Sequence, residues 1–103
     1  MSRQVLVLPE DKEMEELLTK KLAEYKDRVG LDHPDLHTAG QRDAFYKVRV
    51  LEKLLAEKLL DTWAFSQELI GQFGSRFSLG DFNNACGVVR AYISGEFPII
   101  LKN

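Results

Sequence analysis

The sequence predicts an all-α fold, a small bundle of three to four helices. Apolar residues recur at helical spacing in each long segment, and glycine- or proline-containing stretches separate the segments. The chain has 103 residues, of which 45% are hydrophobic and 29% charged, enough for one modest core. We therefore expect a single domain spanning residues 1–103, with helices at about 10–29, 41–60, 61–71 and 79–94.

The first helix is predicted to begin near Pro9, since proline lacks only an N–H that the first turn leaves unpaired. Acidic residues follow at once and favour the positive end of the helix dipole. Its apolar residues share one face: Met14, Leu17, Leu18, Leu22, Tyr25 and Val29. Gly30 is expected to end it.

The second helical region starts near Gln41 and contains no proline or glycine until Gly71. Because that is long for a globular helix, we expect a break where Asp61 or Thr62 caps a further segment. The region carries two apolar stripes, one formed by Ala44, Val48, Leu51, Leu55, Leu59 and Trp63, the other by Tyr46, Val50 and Leu54. This helix is therefore either the central one, covered on two sides, or it exposes the second stripe to a partner.

The last helix is predicted to follow a loop at residues 71–77. Ser78 is its expected N-cap, and Asp81 stands in the position of the acidic residue of a capping box. Short extended tails are expected at residues 4–8 and 98–102. They either form a minor two-stranded element that pairs the N- and C-terminal tails, or pack as arms.

Composition limits the functional classes. A formal net charge of −2 gives no general attraction to nucleic acid or to an anionic membrane surface. The chain has one cysteine, which cannot form an internal disulfide and is typical of a reducing compartment. No apolar run approaches the roughly 20 residues needed to cross a bilayer, so a cytoplasmic location is expected.

His33 and His37 are spaced by four, as are paired zinc ligands on a helix. Pro34 lies between them and biases His33 towards extended geometry, so the helical spacing is not expected to form. The favoured interpretation is a connection between helices, with a metal-dependent role or a pH sensor as the alternatives.

Nothing in the sequence predicts an enzyme or a cofactor. Cys86 lies on the apolar face of the last helix, where a cysteine acts as a small hydrophobic residue. The glycines Gly71, Gly74 and Gly80 match neither a phosphate-binding loop nor a dinucleotide fingerprint.

The predicted function is non-catalytic protein binding, as an adaptor, an assembly factor or a small inhibitor of a larger protein. The predicted partner-binding residues are Tyr46, Val50 and Leu54, bordered by Lys47 and Lys53 among other charges. A border with both signs of charge suits self-association as a homodimer through antiparallel helices. Trp63 and Phe65 are a further reserve of contact area, unless all of these side chains fill the core.

The alternative is a nucleic-acid-binding regulator with a helix–turn–helix-like outline that uses helix 79–94. Its candidate residues are Arg76, Asn83, Asn84 and Arg90, because asparagine pairs with adenine and arginine with guanine. The long turn and the shortage of basic residues argue against it.

Overall fold

The computed structural model describes residues 5–29 and 38–94, which form four helices and two short strands. In chain order the elements are β1 (Val5–Val7), α1 (Lys12–Val29), α2 (Ala39–Glu57), β2 (Leu59–Asp61), α3 (Thr62–Phe73) and α4 (Leu79–Ser94). A 3-10 turn at Gly74–Arg76 joins α3 to α4. The predicted fold class, a small helical bundle with a minor two-stranded element, is confirmed.

Two predicted helix caps are present. The Asp61 carboxylate accepts a hydrogen bond from the backbone N–H of Ala64 at 3.2 Å, and it begins α3. The Ser78 hydroxyl accepts one from the N–H of Asp81 at 3.3 Å, at the start of α4. Each bond satisfies an N–H that the first helical turn leaves without an intrahelical acceptor.

The first two helices begin at caps that the sequence analysis did not identify. Helix α1 starts at Lys12 rather than near residue 10, because Asp11 accepts a hydrogen bond from the N–H of Glu13 at 3.0 Å. Helix α2 starts at Ala39 rather than at residue 41, with the Thr38 hydroxyl accepting from the N–H of Gln41 at 3.3 Å.

Helix α2 ends at Glu57, three residues before the predicted boundary. Lys58 adopts a left-handed conformation with φ 65°, and its N–H donates to the Leu54 carbonyl at 2.8 Å. This geometry satisfies a terminal carbonyl and turns the chain away from the helix axis. The next residues, Leu59–Asp61, are therefore free to form a strand.

Among the described residues, the strand that pairs with the N-terminal arm is β2, whereas the predicted partner was the C-terminal tail. Strands β1 and β2 are antiparallel, with Val5 opposite Asp61, Leu6 opposite Leu60 and Val7 opposite Leu59. This pairing succeeds because the Lys58 turn presents an extended segment beside β1. The predicted extended segment 98–102, residue 4 and the loop at residues 30–37 lie outside the described residues.

Helix α2 is the central helix, packed against both α1 and α4. The predicted apolar face of α1 turns inward, with Leu18 and Tyr25 buried. The core also draws on every other described element except the 3-10 turn, and its largest fully buried side chains are Tyr46, Phe82, Leu18, Leu51, Leu54, Leu60, Leu69, Val50, Val89 and Cys86.

Candidate protein-binding surface

The predicted strip on α2 is not exposed. Tyr46, Val50 and Leu54 have no solvent-accessible surface in the chain. The Tyr46 ring lies 5.4 Å from the Phe77 ring and 6.0 Å from the Phe82 ring, so the segment after α3 and helix α4 cover it. The prediction that this strip meets a partner is therefore corrected, and the alternative of a central helix covered on two sides holds.

The two lysines predicted beside that strip are held by contacts within the chain. The Lys47 ammonium lies 2.6 Å from the Asp43 carboxylate and 5.1 Å from the centre of the Tyr25 ring. Both contacts hold the Lys47 side chain over the end of α1.

Lys53 joins α2 to α3. Its ammonium lies 3.1 Å from the Glu57 carboxylate and 3.5 Å from that of Glu68, and 5.2 Å from the centre of the Phe65 ring. The hydrogen bond to Glu57 is the main reason that the pKa of Lys53 is raised above its ordinary value. The lysine remains charged and is directed towards these acidic side chains.

The sheet carries apolar side chains on its outward face. Side chains alternate between the two faces of a strand, so Leu6 and Leu60 are buried while their neighbours point outward. Val5, Val7 and Leu59 are 48%, 56% and 53% exposed. Val7 and Leu59 are directly paired across the strands, so they form one continuous apolar area. We call these three residues the sheet face.

Helix α3, which follows β2 directly in the sequence because Asp61 ends β2 and caps α3, exposes a second apolar surface. Trp63 is 56% exposed and Ile70 is 39% exposed. They are seven residues apart and therefore lie on the same side of the helix. The exposed side of α3, which we call the α3 outer face, consists of Trp63, Ala64, Gln67, Ile70 and Gly71.

The α3 outer face contains no charged residue. Glu68 is the one charged residue between Thr62 and Phe73, and its contact with Lys53 holds it on the side of α2. An open groove of about 510 Å³ lies on that side, with both signs of charge around Phe65. The α3 outer face is thus bordered by charged groups, and the Asp61 carboxylate, opposite Val5 on the outward side of the sheet, lies where β2 joins α3.

The sequence predicts Trp63 as contact area but does not predict the exposure of Val5, Val7, Leu59 and Ile70. Helical spacing places Leu59 in the main apolar stripe, and only the strand geometry turns it outward. Phe65, the other residue named with Trp63, is buried against Phe82, with 6.0 Å between the ring centres. The sequence feature that indicates this surface is the low charge of residues 62–73 compared with the highly charged first helix.

The residues proposed for nucleic-acid binding lie partly together. Asn83, Asn84 and Arg90 are exposed on α4. Arg76 is in the 3-10 turn, with its guanidinium 5.9 Å from the centre of the Phe73 ring. At the start of α4, Asp81 places a carboxylate that Arg42 holds at 2.7 Å.

Cys86 and the tyrosine pair are buried rather than arranged as a reactive site. Burial raises the pKa of the Cys86 thiol to about 12, so the thiolate needed for nucleophilic chemistry is scarce at neutral pH. The hydroxyl oxygens of Tyr25 and Tyr92 lie 2.9 Å apart in a buried hydrogen bond. Burial and this bond raise the pKa of Tyr25, and the pair links the end of α1 to the end of α4.

His33 and His37 lie outside the described residues. Within residues 5–29 and 38–94, no cluster of three or more histidine, cysteine, aspartate or glutamate side chains is placed to hold a metal ion. None of the helices in those ranges has the length and apolar character needed to cross a membrane. Comparison of the chain with known protein families, curated proteins and solved structures found no match.

Proposed function

We propose that the chain is a non-catalytic protein-binding module, such as an adaptor, an assembly factor or a small inhibitor of a larger protein, and that it also self-associates. The observation that supports this function is the exposure of large apolar side chains on the sheet face and on the α3 outer face. Removing exposed apolar surface from water is favourable, so areas of this kind are typical of protein-binding sites.

The exposed apolar area fits such a role. The exposed parts of Val5, Val7 and Leu59 on the sheet face and of Trp63 and Ile70 on the α3 outer face together amount to ~400 Å² of apolar area, and exposed apolar areas of this size are often functional. Tryptophan is also among the residues that most often dominate binding energy at interfaces.

A charge-neutral double substitution tests the function. Val7→Lys/Leu59→Glu replaces a cross-strand apolar pair by an opposite-charge pair, which keeps the strands compatible while making the sheet face polar. The matched control, Thr19→Lys/Ala23→Glu, introduces the same two charges on the exposed side of α1. Circular dichroism should show that both variants are folded.

The three purified proteins are then compared by sedimentation and by affinity capture from the native cell. We expect a binding protein, whether a second copy of the chain or another protein, to be retained by the wild type and the control and lost by the sheet-face variant. No binding by the wild type would refute the proposed function, and equal binding by all three would refute its assignment to the sheet face.

The second candidate, a nucleic-acid-binding regulator, is favoured by one observation, the joint exposure of Asn83, Asn84 and Arg90 on α4. Its test is a salt titration of DNA and RNA binding, because phosphate contacts release counterions and make affinity fall with salt. Binding that weakens in Asn84→Ala/Arg90→Ala supports it, and no retention on either nucleic acid at about 50 mM salt excludes it.

A further inference from the structure

We infer that the outer edge of β1, the side of the strand turned away from β2, binds an extended segment of a partner protein in which lysine or arginine precedes an apolar strand. The partner segment runs antiparallel to β1 and extends the sheet to three strands. The inference rests on the proposed protein-binding function and specifies the kind of partner. It follows from the hydrogen-bonding pattern of the sheet, from the exposure of β1 and from the charges that follow the strand.

The backbone of β1 has hydrogen-bonding groups that its pairing with β2 does not use. The Leu8 N–H donates to the Lys58 carbonyl at 3.0 Å, so these two residues form a hydrogen-bonded pair. Such pairs alternate with non-hydrogen-bonded pairs along an antiparallel ladder. Leu6 is therefore the next residue bonded to β2, and the N–H and C=O groups of Val5 and Val7 are directed away from it.

The outer edge of β1 is open within the described chain. Val5 and Val7 are about half exposed, and within residues 5–29 and 38–94 only β2 packs closely along β1. Proteins commonly protect a strand edge with lysine, proline or a covering element, and in the described ranges Val5–Val7 has none of these. An extended backbone fits this edge, because its donors and acceptors recur at the two-residue spacing of Val5 and Val7.

The side chains of the edge favour an apolar partner strand. Residues directly opposite each other in a sheet project on the same face. Partner residues opposite Val5 and Val7 would therefore lie on the sheet face, where Leu59 already flanks Val7. Apolar β-branched side chains fit these positions, because they favour extended structure and would cover part of the exposed valines.

The charge beyond the end of β1 favours a basic residue and gives the partner its direction. Glu10, Asp11 and Glu13 follow the strand and are exposed, with Lys12 as the one basic residue among them. The first residues of an antiparallel partner lie beside the last residues of β1. Lysine or arginine just before the partner strand would therefore meet this acidic segment, whereas an acidic residue there would be repelled.

The first experiment measures binding of the synthetic peptide KKVTVTV, in which two lysines precede alternating valines, by fluorescence anisotropy. We expect the wild-type chain to bind it with a dissociation constant below about 1 mM. The peptide EEVTVTV has the same strand with reversed charge and should bind at least about fivefold more weakly. Added salt should reduce this difference, because Glu10 and Asp11 are exposed to solvent.

Val7→Pro separates the outer edge from the rest of the sheet. Proline removes an N–H that is directed away from β2, so the pairing with β2 and the fold should be retained, as circular dichroism can check. We expect the dissociation constant of KKVTVTV to rise at least about tenfold. The matched control, Val7→Thr, keeps the N–H and a β-branched side chain, and it should leave the constant within about threefold.

Amide hydrogen exchange, followed by nuclear magnetic resonance, reads the edge in the unmodified chain. Without peptide, the amides of Val5 and Val7 should exchange faster than those of Leu6 and Leu8, which are directed towards β2. Saturation with KKVTVTV should slow exchange at Val5 and Val7 at least about fivefold. This measurement needs no variant and therefore decides the question even if Val7→Pro is unstable.

Four results with the peptides overturn the inference. They are no binding of KKVTVTV at about 1 mM, equal binding of EEVTVTV, unchanged binding by a folded Val7→Pro, and binding that leaves exchange at Val5 and Val7 unchanged.

Slow exchange of both valines without peptide also overturns it. If the chain sediments as a monomer, another segment of the same chain occupies the edge, and if it sediments as a dimer, a second copy does. The proposed function is judged separately, because Val7→Lys/Leu59→Glu keeps the backbone groups of the edge and tests whether a protein retained by the wild type is lost.

Discussion

Removing one hydroxyl group tests whether Tyr46 is part of the core or part of a surface. The Tyr46 hydroxyl accepts a hydrogen bond from the backbone N–H of Ser78 at 2.9 Å, and it connects the central helix to the start of α4. The substitution Tyr46→Phe deletes this acceptor. It keeps the ring in place against Phe77 and Phe82, whose centres lie at 5.4 and 6.0 Å.

The expected loss of stability depends on the Ser78 N–H, which Tyr46→Phe leaves without its acceptor. Ser78 is partly buried, and its N–H would lose its acceptor while water reaches it only incompletely. Leaving such a donor unsatisfied costs ~1–2 kcal/mol in the free energy of unfolding. For a chain of this length, each kcal/mol of lost stability lowers the melting temperature by roughly 4–8 °C.

Urea denaturation followed by circular dichroism measures the change, with Tyr25→Phe as the comparison. Tyr25 is also buried, but its partner is the hydroxyl of Tyr92, which rotates and finds another arrangement more easily than a backbone N–H, so that variant should lose less stability. A Tyr46→Phe protein within about 0.3 kcal/mol of the wild type would refute the reasoning. A folded Tyr46→Glu would do so more strongly, since it would place a carboxylate where no surface is exposed.

Three further predictions concern turns and caps, each measured as a free energy of unfolding. Gly74→Ala should lose ~1–2 kcal/mol, because Gly74 has φ 57° and alanine is strained in that conformation. Gly71→Ala, in a regular part of α3, should instead gain ~0.5–1 kcal/mol. Equal effects of the two substitutions would contradict this explanation from backbone conformation. Lys58→Gly should gain ~1 kcal/mol by relieving the left-handed conformation, and a loss would mean that the exposed contact with Glu15 matters more. Asp81→Asn should lose ~1 kcal/mol at pH 7, because its hydrogen bond with Arg42 holds the pKa of Asp81 below the ordinary 3.8. That deficit should be constant above pH 3.8 and disappear as the pH falls through the lowered pKa, so a deficit that persists in acid would contradict the assignment.

The start of a helix could be predicted from the sequence where a single side chain acts as its cap. Asp61 and Ser78 are good N-caps in any context, and both begin helices as expected. The end of α2 was not predictable in the same way. Lysine rarely adopts positive φ, so nothing at Lys58 signals a helix end, and the strand that follows forms only because β1 lies beside it.

The location of the candidate surface could not be predicted from the helical spacing of apolar residues. The spacing of Tyr46, Val50 and Leu54 shows that this side of the helix is apolar, but not which element covers it. Tyr46 is covered by Phe77 and Phe82, which follow it by more than 30 residues in the chain. With that side buried, the large apolar residues that the described chain leaves exposed are those of the sheet and α3 and Leu79 at the start of α4, which their own local sequence does not distinguish from core residues.

The left-handed turn at Lys58 also determines how large the protein is. Residues 39–73 would form one uninterrupted helix without it, and at 1.5 Å per residue that helix would extend ~52 Å. The longest dimension of the protein is 36 Å, so such a rod would project well beyond the rest of the bundle. Three residue pairs between β1 and β2 hold the chain in its folded-back course. Trimming the N-terminal arm would therefore remove one edge of a small sheet and, with it, a set of contacts that support the turn between α2 and α3.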